Sequence, residues 1–514
     1  MRNSFIFSIL VLLLTSYAHG KLPADAQRVV DSLPDKALTM ELILAIGAKS
    51  AESFKEVESQ YLLIPASELS GEAAFTPQFT ASATHSDDRS EPTNTTTSTK
   101  SAVARVYDMG VSKYFSSGTG LELKFTHTDA DLEYFGTPSA FSTPSYYESE
   151  LSLGLTQSLL KDPLGYSSRR TLKASKLLSE AQKHRADAGL EEWTRQISNL
   201  YYAAWQAKKN LLIADDALKR RNQLLKTTRL KAKRGTSEKP DLLQVESVQL
   251  LAVNQKAQAE QELNNHWRNL ILSLKLPAEW IQVDPRFVPI KLDNPISKAE
   301  AQCKSFRKKG VPKSESAVVR MNQAISESAN LLAEARKKEM LPELNLVGSV
   351  AYNAIDNTNS TDTISDATNG ENPAWTLGLN LTIPFSFDSE KASYLQAYSD
   401  QVRNTSQYNS AKDDLRVAWM NDCSGLDSLL ESNKRAKIAF NKQRQRERLE
   451  RKRFGLGRIP VFNYIQAGDD AAEAERAYSQ QQVMLRQLSW QILRNASQIN
   501  DIMKKLREDY EKNN

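Results

Sequence analysis

Cysteine and histidine are scarce in this sequence, and their scarcity excludes several classes of protein. The 514 residues include two cysteines, Cys303 and Cys423, and five histidines. Two cysteines are too few for a disulfide scaffold, and whether they pair is left open by the sequence. The histidines are scattered without metal-ligand spacing, and the sequence contains no phosphate-binding loop and no nucleophile elbow. We therefore expect no enzyme activity, no metal site and no cofactor.

Long apolar runs and a strong charge imbalance are also absent. After the N-terminus, no run approaches the ~20 apolar residues that a membrane-spanning helix needs, which excludes a polytopic helical membrane protein. The net charge of +5 is small for a chain of this length. We therefore expect no nucleic-acid partner.

The N-terminus is typical of a secretory signal peptide. Arg2 precedes an apolar core over residues 5–14, and the small residues Ala18 and Gly20 follow at the spacing of a cleavage site. We predict a signal peptide over residues 1–20. The alternative, a retained membrane anchor, is disfavoured because the apolar core is short. Lys21, where a lipidated protein has cysteine, makes lipid attachment there an unfavourable interpretation.

Two glycine-containing segments lie 222 residues apart and share a pattern. Gly235 is followed by Asp241, and Gly457 is followed by Asn463 at the same spacing. Each glycine separates two long stretches with apolar residues at helical spacing, which predicts the tip of a helical hairpin. The chain is therefore predicted to be a tandem repeat of two halves.

Alternation of apolar and polar residues predicts strands in both halves, within residues 75–159 and 342–385. A hairpin over 103–128 is present only in the first half. One face of these strands is apolar and the other polar, which fits a membrane β-barrel, because a soluble sandwich would need a second sheet. Four or six strands cannot close a pore, so several chains would share one barrel. The predicted polar loops are 85–101, 129–147 and 353–372.

Helical periodicity fills most of the remaining sequence. Long helices are predicted over about 165–233 and 390–453, each followed by a tip and a return helix. A shorter helix over 37–70 is expected to kink or break at Pro65. The tips are predicted at about 234–241 and 455–466. The predicted organisation is a signal peptide (1–20), a first repeat (21–276), an equatorial connector (277–297), a second repeat (298–502) and a C-terminal tail (503–514).

The tandem halves, the two glycine tips, the strand entry at Pro77 and the strand exits after Leu155 and Leu381 resemble the TolC-type outer-membrane efflux channel family. The resemblance covers essentially the whole mature chain. It implies an α+β membrane protein, in which a homotrimer forms an outer-membrane β-barrel that continues as a periplasmic α-helical coiled-coil barrel. The best-known members have a 12-strand barrel, whereas the extra hairpin would give six strands per chain and 18 in the trimer. Ser158 departs from the family by replacing a usual proline, which Pro384 retains in the second half.

The resemblance also implies a function and partners. The chain would be the passive outer-membrane duct of a tripartite efflux or type I secretion system, embedded in outer-membrane lipid. It would work with a periplasmic adaptor (membrane fusion protein) and an inner-membrane pump. The alternatives are a structural coiled-coil stalk and a periplasmic adaptor without a pore; the first is disfavoured by the lipid-like strands and the second by the absence of a lipoyl-like module.

The family's functional positions fall on the two tips. Acidic residues that narrow the periplasmic aperture in the family correspond here to amides in the second tip, so the aperture is expected to bind cations weakly, unless acidic residues one turn further on restore the charge. The alternative is that these residues merely cap and solvate a helix start. Many basic residues surround the tips, either as a solvated face or as a contact surface for the adaptor. The predicted aperture residues are Asp241, Asn463, Gln466, Asp469 and Asp470. The predicted adaptor contacts are Arg234, Gly235, Gly457 and Arg458.

Overall fold

The computed structural model describes residues 23–33, 36–91, 99–135, 145–310 and 316–513. The predicted signal peptide lies outside these residues. The described chain is of the α+β class. Its strands are β1 (Gln78–Asp88), β2 (Thr99–Phe115), β3 (Thr119–Tyr134), β4 (Ser145–Ser158), β5 (Glu343–Asp356) and β6 (Pro373–Thr382). Its helices are α1 (Ala24–Ser32), α2 (Met40–Ser50), α3 (Glu52–Glu72), α4 (Tyr166–Lys233), α5 (Lys239–Ser273), α6 (Glu279–Gln282), α7 (Ile296–Lys309), α8 (Ala317–Glu339), α9 (Ser360–Asn369), α10 (Asp388–Gly455), α11 (Val461–Asn495) and α12 (Ile499–Asn513).

The chain divides into two compact units, and each takes segments from both halves of the sequence. The first unit comprises Met1–Gln60, Arg185–Val318 and Lys412–Asn514. The second comprises Tyr61–His184 and Val319–Ala411, and contains the sheet. In the part of the chain that the structure describes, no helix combines the length and apolar character needed to cross a membrane.

The sheet of the second unit is antiparallel, and its six strands lie in sequence order. The β2–β3 hairpin of the first half pairs with β1 on one side and with β4 on the other. The second half joins the same sheet because Leu153 of β4 is the register partner of Val350 of β5. Both halves of the sequence therefore contribute to one continuous sheet.

The predicted loops 85–101, 129–147 and 353–372 are wrong in part. Strand β1 continues to Asp88, β3 continues to Tyr134, and β4 begins at Ser145. These polar segments still pair because backbone groups form the ladder whatever the side chains, and polarity marks only exposure to solvent. The third predicted loop contains helix α9, which begins at an Asn359 side chain that accepts from the Thr361 amide.

Helix α9 is fastened to the sheet by a buried polar cluster. The ring of His127 in β3 lies 2.8 Å from the Ser149 hydroxyl of β4. Ser149 in turn donates to the Thr363 hydroxyl of α9 over 3.1 Å, and both hydroxyl residues are fully buried. Such a contact joins residues that are distant in the sequence, so polar composition alone gave no sign of it.

The long helices repeat with a fixed offset. Helices α4 and α10 each have 68 residues, and α5 and α11 each have 35. Each helix of the second half begins 222 residues after its counterpart in the first. A 68-residue helix is about 100 Å long. The connections at the tips are shorter than predicted, since α5 begins at Lys239 and α11 at Val461.

Three other helical predictions need correction. Helix α3 continues through Pro65, and the break lies at Ala51, whose ψ of 131° is extended. Pro65 is exposed, so water can satisfy the carbonyl group that loses its helical partner. The connector 277–297 contains helix α6 and the start of α7, and the predicted tail contains most of α12, which begins at Ile499.

The core of the first unit is built around tryptophans and the connector. Trp193, Trp205, Trp267 and Trp490 are all buried, as expected for packing residues. The Trp490 indole donates to the carboxylate of Asp293 in the connector over 2.9 Å. These contacts hold the connector against the helices of this unit.

Candidate functional site

The two helical tips, residues 234–238 and 456–460, close with the same hydrogen bonds. The amide of Gly235 donates to the Ala232 carbonyl over 3.0 Å, and Gly457 donates to Phe454 over 3.0 Å. The next amide in each tip, that of Thr236 or Arg458, donates to a carbonyl five residues earlier over 2.9 Å. This is the Schellman termination, which needs a left-handed residue. Both glycines supply it, with φ of 70° in each.

The predicted adaptor contacts lie on the surface of these tips. Arg234, Gly235, Gly457 and Arg458 are all exposed. A Cβ built on either glycine would have no atom within 4 Å, so the glycines serve the turn and leave open space around the backbone. The structure therefore presents these four positions to solvent, where another chain could approach.

The four helices that meet at the tips share a small apolar core. Its buried residues are contributed by α4, α5, α10 and α11. The ammonium group of Lys231 donates to the Phe454 carbonyl over 2.8 Å and lies 4.1 Å from the centre of the Phe454 ring. This core fixes the first tip relative to the second. Its members are Leu224, Val245, Phe454, Val461, Tyr464 and Ile465.

The predicted aperture residues fall into two groups. Asn463 and Gln466 lie on the exposed face of the first two turns of α11, and Asp241 lies in the first turn of α5. Asp469 and Asp470, one turn further along α11, are held by arginines. The Arg446 guanidinium donates to Asp470 over 2.8 Å, and the Gln466 amide donates to the same carboxylate over 2.7 Å. The charge that these aspartates would add near the second tip is therefore partly compensated within the chain.

Arg221 is a residue of this region that sequence reasoning missed. Its side chain is buried, and its guanidinium donates to the Asp469 carboxylate and to the Ile465 carbonyl. It lies against Gly468, where a Cβ would be 3.7 Å from a guanidinium nitrogen. Arg221 thus ties α4 to α11. The only signal in the sequence was a glycine beside an aspartate inside a predicted helix.

Tyr464 and Glu447 form the inner wall of the same region. Tyr464 is buried, and burial followed by the neighbouring Glu447 charge raises the pKa of its hydroxyl. Glu447 is also buried. Among the described residues, no group of three or more histidine, cysteine, aspartate and glutamate side chains is placed to hold a metal ion.

Comparison with solved structures identifies the fold. The outer-membrane protein VceC from Vibrio cholerae matches with a TM-score of 0.62 and 11% identity, over 90% of this chain and 95% of VceC. The outer-membrane channel OprN matches with a TM-score of 0.63 and 14% identity, over 89% of each chain. The Campylobacter jejuni outer-membrane channel CmeC matches with a TM-score of 0.64 and 14% identity, over 91% of this chain and 88% of CmeC. No protein-family model and no curated protein sequence matches this chain. The chain therefore has the fold of the TolC-type outer-membrane channels.

Proposed function

We propose that this protein is the outer-membrane channel of an export system, in which three copies enclose a passive duct from the periplasm to the exterior. The duct would belong to a tripartite efflux or type I secretion system. The proposal combines the fold with the surface chemistry of the sheet and of the edge helices. No step of it requires catalysis or a cofactor.

One row of side chains carries this proposal. Successive register partners across all six strands of the sheet form a continuous apolar row on one face. Every member is exposed, from 39% for Val350 to 75% for Trp375. Exposing such a row to water is unfavourable, whereas lipid accepts it at no cost. The row consists of Phe79, Val111, Leu123, Leu153, Val350 and Trp375.

The opposite face of the sheet has the chemistry of an aqueous wall. Its neighbouring row reads Gln78, Ser112, Glu122, Gly154, Ser349 and Thr376 in register order. A face of this kind can line water while the first face meets acyl chains. The two faces together favour a barrel wall over a soluble sandwich, which would bury the apolar row under a second sheet.

Unpaired edges favour closure by further copies of the chain. Strands β1 and β6 are the two edges of the described sheet, and a membrane sheet cannot leave its edges open. In the same unit, α3 and α10 carry exposed apolar side chains that a neighbouring copy could cover. A repeated contact between unlike edges closes a ring, and the family resemblance sets the number of copies at three. These exposed side chains are Leu62, Leu63 and Leu69 of α3, and Leu395, Tyr398 and Val402 of α10.

We further propose that the barrel has 18 strands. The β2–β3 hairpin carries Val111 and Leu123 in the same exposed apolar row as the other four strands. A hairpin standing outside the membrane would have no use for lipid-compatible side chains at this height. A barrel of this size leaves an aqueous channel instead of a lumen filled by side chains.

The remaining assignments rest on the fold and on the family resemblance. The long helices would extend the duct through the periplasm, and the two tips would meet a periplasmic adaptor connected to an inner-membrane pump. The aperture would lie at the second tip, with Asn463, Gln466, Asp469 and Asp470 around the axis and Asp241 at the first tip. The arrangement of the two halves is proposed to be a tandem repeat.

The test is conductance in planar lipid bilayers, which separates a duct from a stalk or an adaptor. The purified full chain should give discrete, ion-conducting steps. In a matched pair, Ser152→Cys faces the proposed lumen and Leu153→Cys faces the proposed lipid. A bulky water-soluble thiol reagent should reduce the conductance of the first variant and leave the second unchanged. A trimeric preparation that inserts into vesicles without conducting would contradict the proposal.

A further inference from the structure

Four arginines converge on one groove of the first unit. The groove has a volume of about 280 Å³ and lies between α4, α10 and α11. Within the described residues, none of these guanidinium groups forms a hydrogen bond or a salt bridge; that of Arg444 lies 5.6 Å from the centre of the Phe440 ring. We name this surface the arginine groove. Its four arginines are Arg220, Arg444, Arg448 and Arg451.

Other arginines near the tips have partners, so the groove is not a general consequence of basic composition. Arg229 pairs with Glu246 over 2.9 Å, and Arg453 pairs with Glu450 over 3.1 Å. Arg221 and Arg446 are held by the aspartates of α11, as described above. The basic sequence near the tips thus separates into arginines used inside the chain and arginines left for another molecule.

A buried carboxylate lies among the unpaired arginines. Glu447 is only 6% exposed, it lines the arginine groove, and its Oε1 atom has no hydrogen-bond partner. A buried carboxylate oxygen without a donor is costly, and a ligand that brings an N–H or O–H group would satisfy it. The groove therefore calls for a ligand that supplies anionic groups and at least one hydrogen-bond donor.

The spacing of the arginines indicates the shape of that ligand. Arg444, Arg448 and Arg451 are four and three residues apart, so they lie on one face of α10 over about 10 Å. A second helix with carboxylates at the same spacing can match them along its own face, with charge-assisted hydrogen bonds to each guanidinium. Three carboxylates in a line are harder to supply from a small anion.

We propose that the arginine groove binds an acidic helix of the periplasmic adaptor, with aspartate or glutamate at i, i+4 and i+7 and a hydrogen-bond donor facing Glu447. The inference rests on the proposed function, because it assumes that an adaptor meets this end of the chain. It adds the sign of the charge and the spacing that the adaptor must carry. Charge complementarity of this kind fixes register and excludes partners of the wrong sign.

The test uses the purified full chain in detergent and a labelled probe peptide. The probe is an alanine-rich helix of about 22 residues with glutamates at i, i+4 and i+7 and a serine between the first two. Binding is measured by fluorescence anisotropy at near-physiological ionic strength. The variant Arg444→Gln/Arg448→Gln should weaken binding about tenfold or more. The matched control Lys442→Gln/Lys452→Gln removes the same charge from α10 outside the groove and should change binding less than about twofold.

Further measurements distinguish groove binding from general attraction. The variant Arg448→Glu should lose the probe and regain binding to a peptide with lysine at the central position. The inference is overturned if a scrambled peptide of the same composition binds equally well, if both double variants lose binding equally, or if only a phosphorylated lipid or a nucleic acid competes for the groove. Bilayer conductance of the Arg444→Gln/Arg448→Gln variant should stay at the wild-type value. Loss of peptide binding alone would refute the groove assignment, whereas a wild-type protein that does not conduct would refute the duct.

Discussion

Cys303 of α7 and Cys423 of α10 form a disulfide bond in the first unit, with a Cα–Cα distance of 5.5 Å. Cys423 lies 222 residues after Tyr201, so the two occupy the same place in the long helices of the two halves. The Tyr201 hydroxyl donates to the Leu38 carbonyl over 3.0 Å. At equivalent positions, one half thus fastens its long helix by a hydrogen bond and the other by a covalent bond.

Removing the disulfide should destabilise the first unit. The two cysteines are 120 residues apart, and a cross-link over such a separation restricts the unfolded chain strongly. We expect Cys303→Ser/Cys423→Ser to lower the free energy of unfolding by about 2–5 kcal/mol, measured by denaturant titration. A reductant should shift the wild-type curve toward that of the variant and leave the variant unchanged. Equal stability of the oxidised wild type and the variant would contradict the expectation.

The pH dependence of stability should contain a contribution from Lys208. Its ammonium group donates to the Val288 carbonyl in the connector, and burial lowers its pKa from 10.5 to about 8. Between these values the unfolded chain binds more protons than the folded chain, so this group makes the folded state more stable as pH rises from 8 to 10.5. The shift corresponds to a gain of up to about 3 kcal/mol.

The measurement compares wild type with Lys208→Met. Unfolding curves at pH 7.5, 9 and 10.5, on the order of the two pKa values, should show the difference between the proteins moving in favour of the wild type as pH rises. The lost hydrogen bond to Val288 adds a term that does not depend on pH. A difference that is flat across this range would show that the Lys208 pKa is not lowered.

Changing an amide at the second tip to a carboxylate should increase cation preference. Asn463 is exposed in the first turn of α11, so an added charge there would face the proposed aperture in all three copies. We expect Asn463→Asp to raise the K⁺ over Cl⁻ permeability ratio about twofold or more, measured from reversal potentials in a salt gradient. Asn254→Asp in α5 is the control, because it adds the same charge about four turns from the tip. The same increase in both variants would place the effect outside the aperture.

The position of the β2–β3 hairpin can be tested by spin labels. Met109 and Val111 lie on the apolar face of β2, and Asp108 and Ser112 lie on the opposite face. In reconstituted protein, labels at 109 and 111 should collide mainly with oxygen dissolved in lipid, and labels at 108 and 112 mainly with a water-soluble nickel reagent. This alternation is expected for 18 strands. Water access at all four sites would place the hairpin outside the membrane and leave a 12-strand barrel.

Sequence periodicity was a good guide wherever one local rule decides the structure. The helices around Gly235 and Gly457 were predicted because a left-handed glycine ends a helix whatever surrounds it. The strand alternation around Leu123 and Leu153 likewise follows from the two-residue period of a strand. The same reasoning failed at Pro65, in the predicted tail and in the polar loops, where backbone pairing and solvent exposure outweighed the local signal.

The candidate site was predicted only in outline. Positions such as Asn463 followed from the family pattern, because they sit at a fixed spacing from a glycine. Arg221 could not be found in this way, since its partner Asp469 is 248 residues away. The arginine groove is similar: the sequence contains one basic run, and only the packing of α4, α10 and α11 decides which arginines are paired.

The sequence by itself determined the class of the chain: two offset sets of long helices, strands with one apolar face, and glycine tips. These features depend on residues close together in the chain, whose spacing fixes which side chains share a face. The tertiary structure alone decided that all six described strands form one sheet, that Cys303 meets Cys423, and that four arginines remain without partners. Each of those facts depends on contacts between distant segments, for which a single sequence carries no local signal.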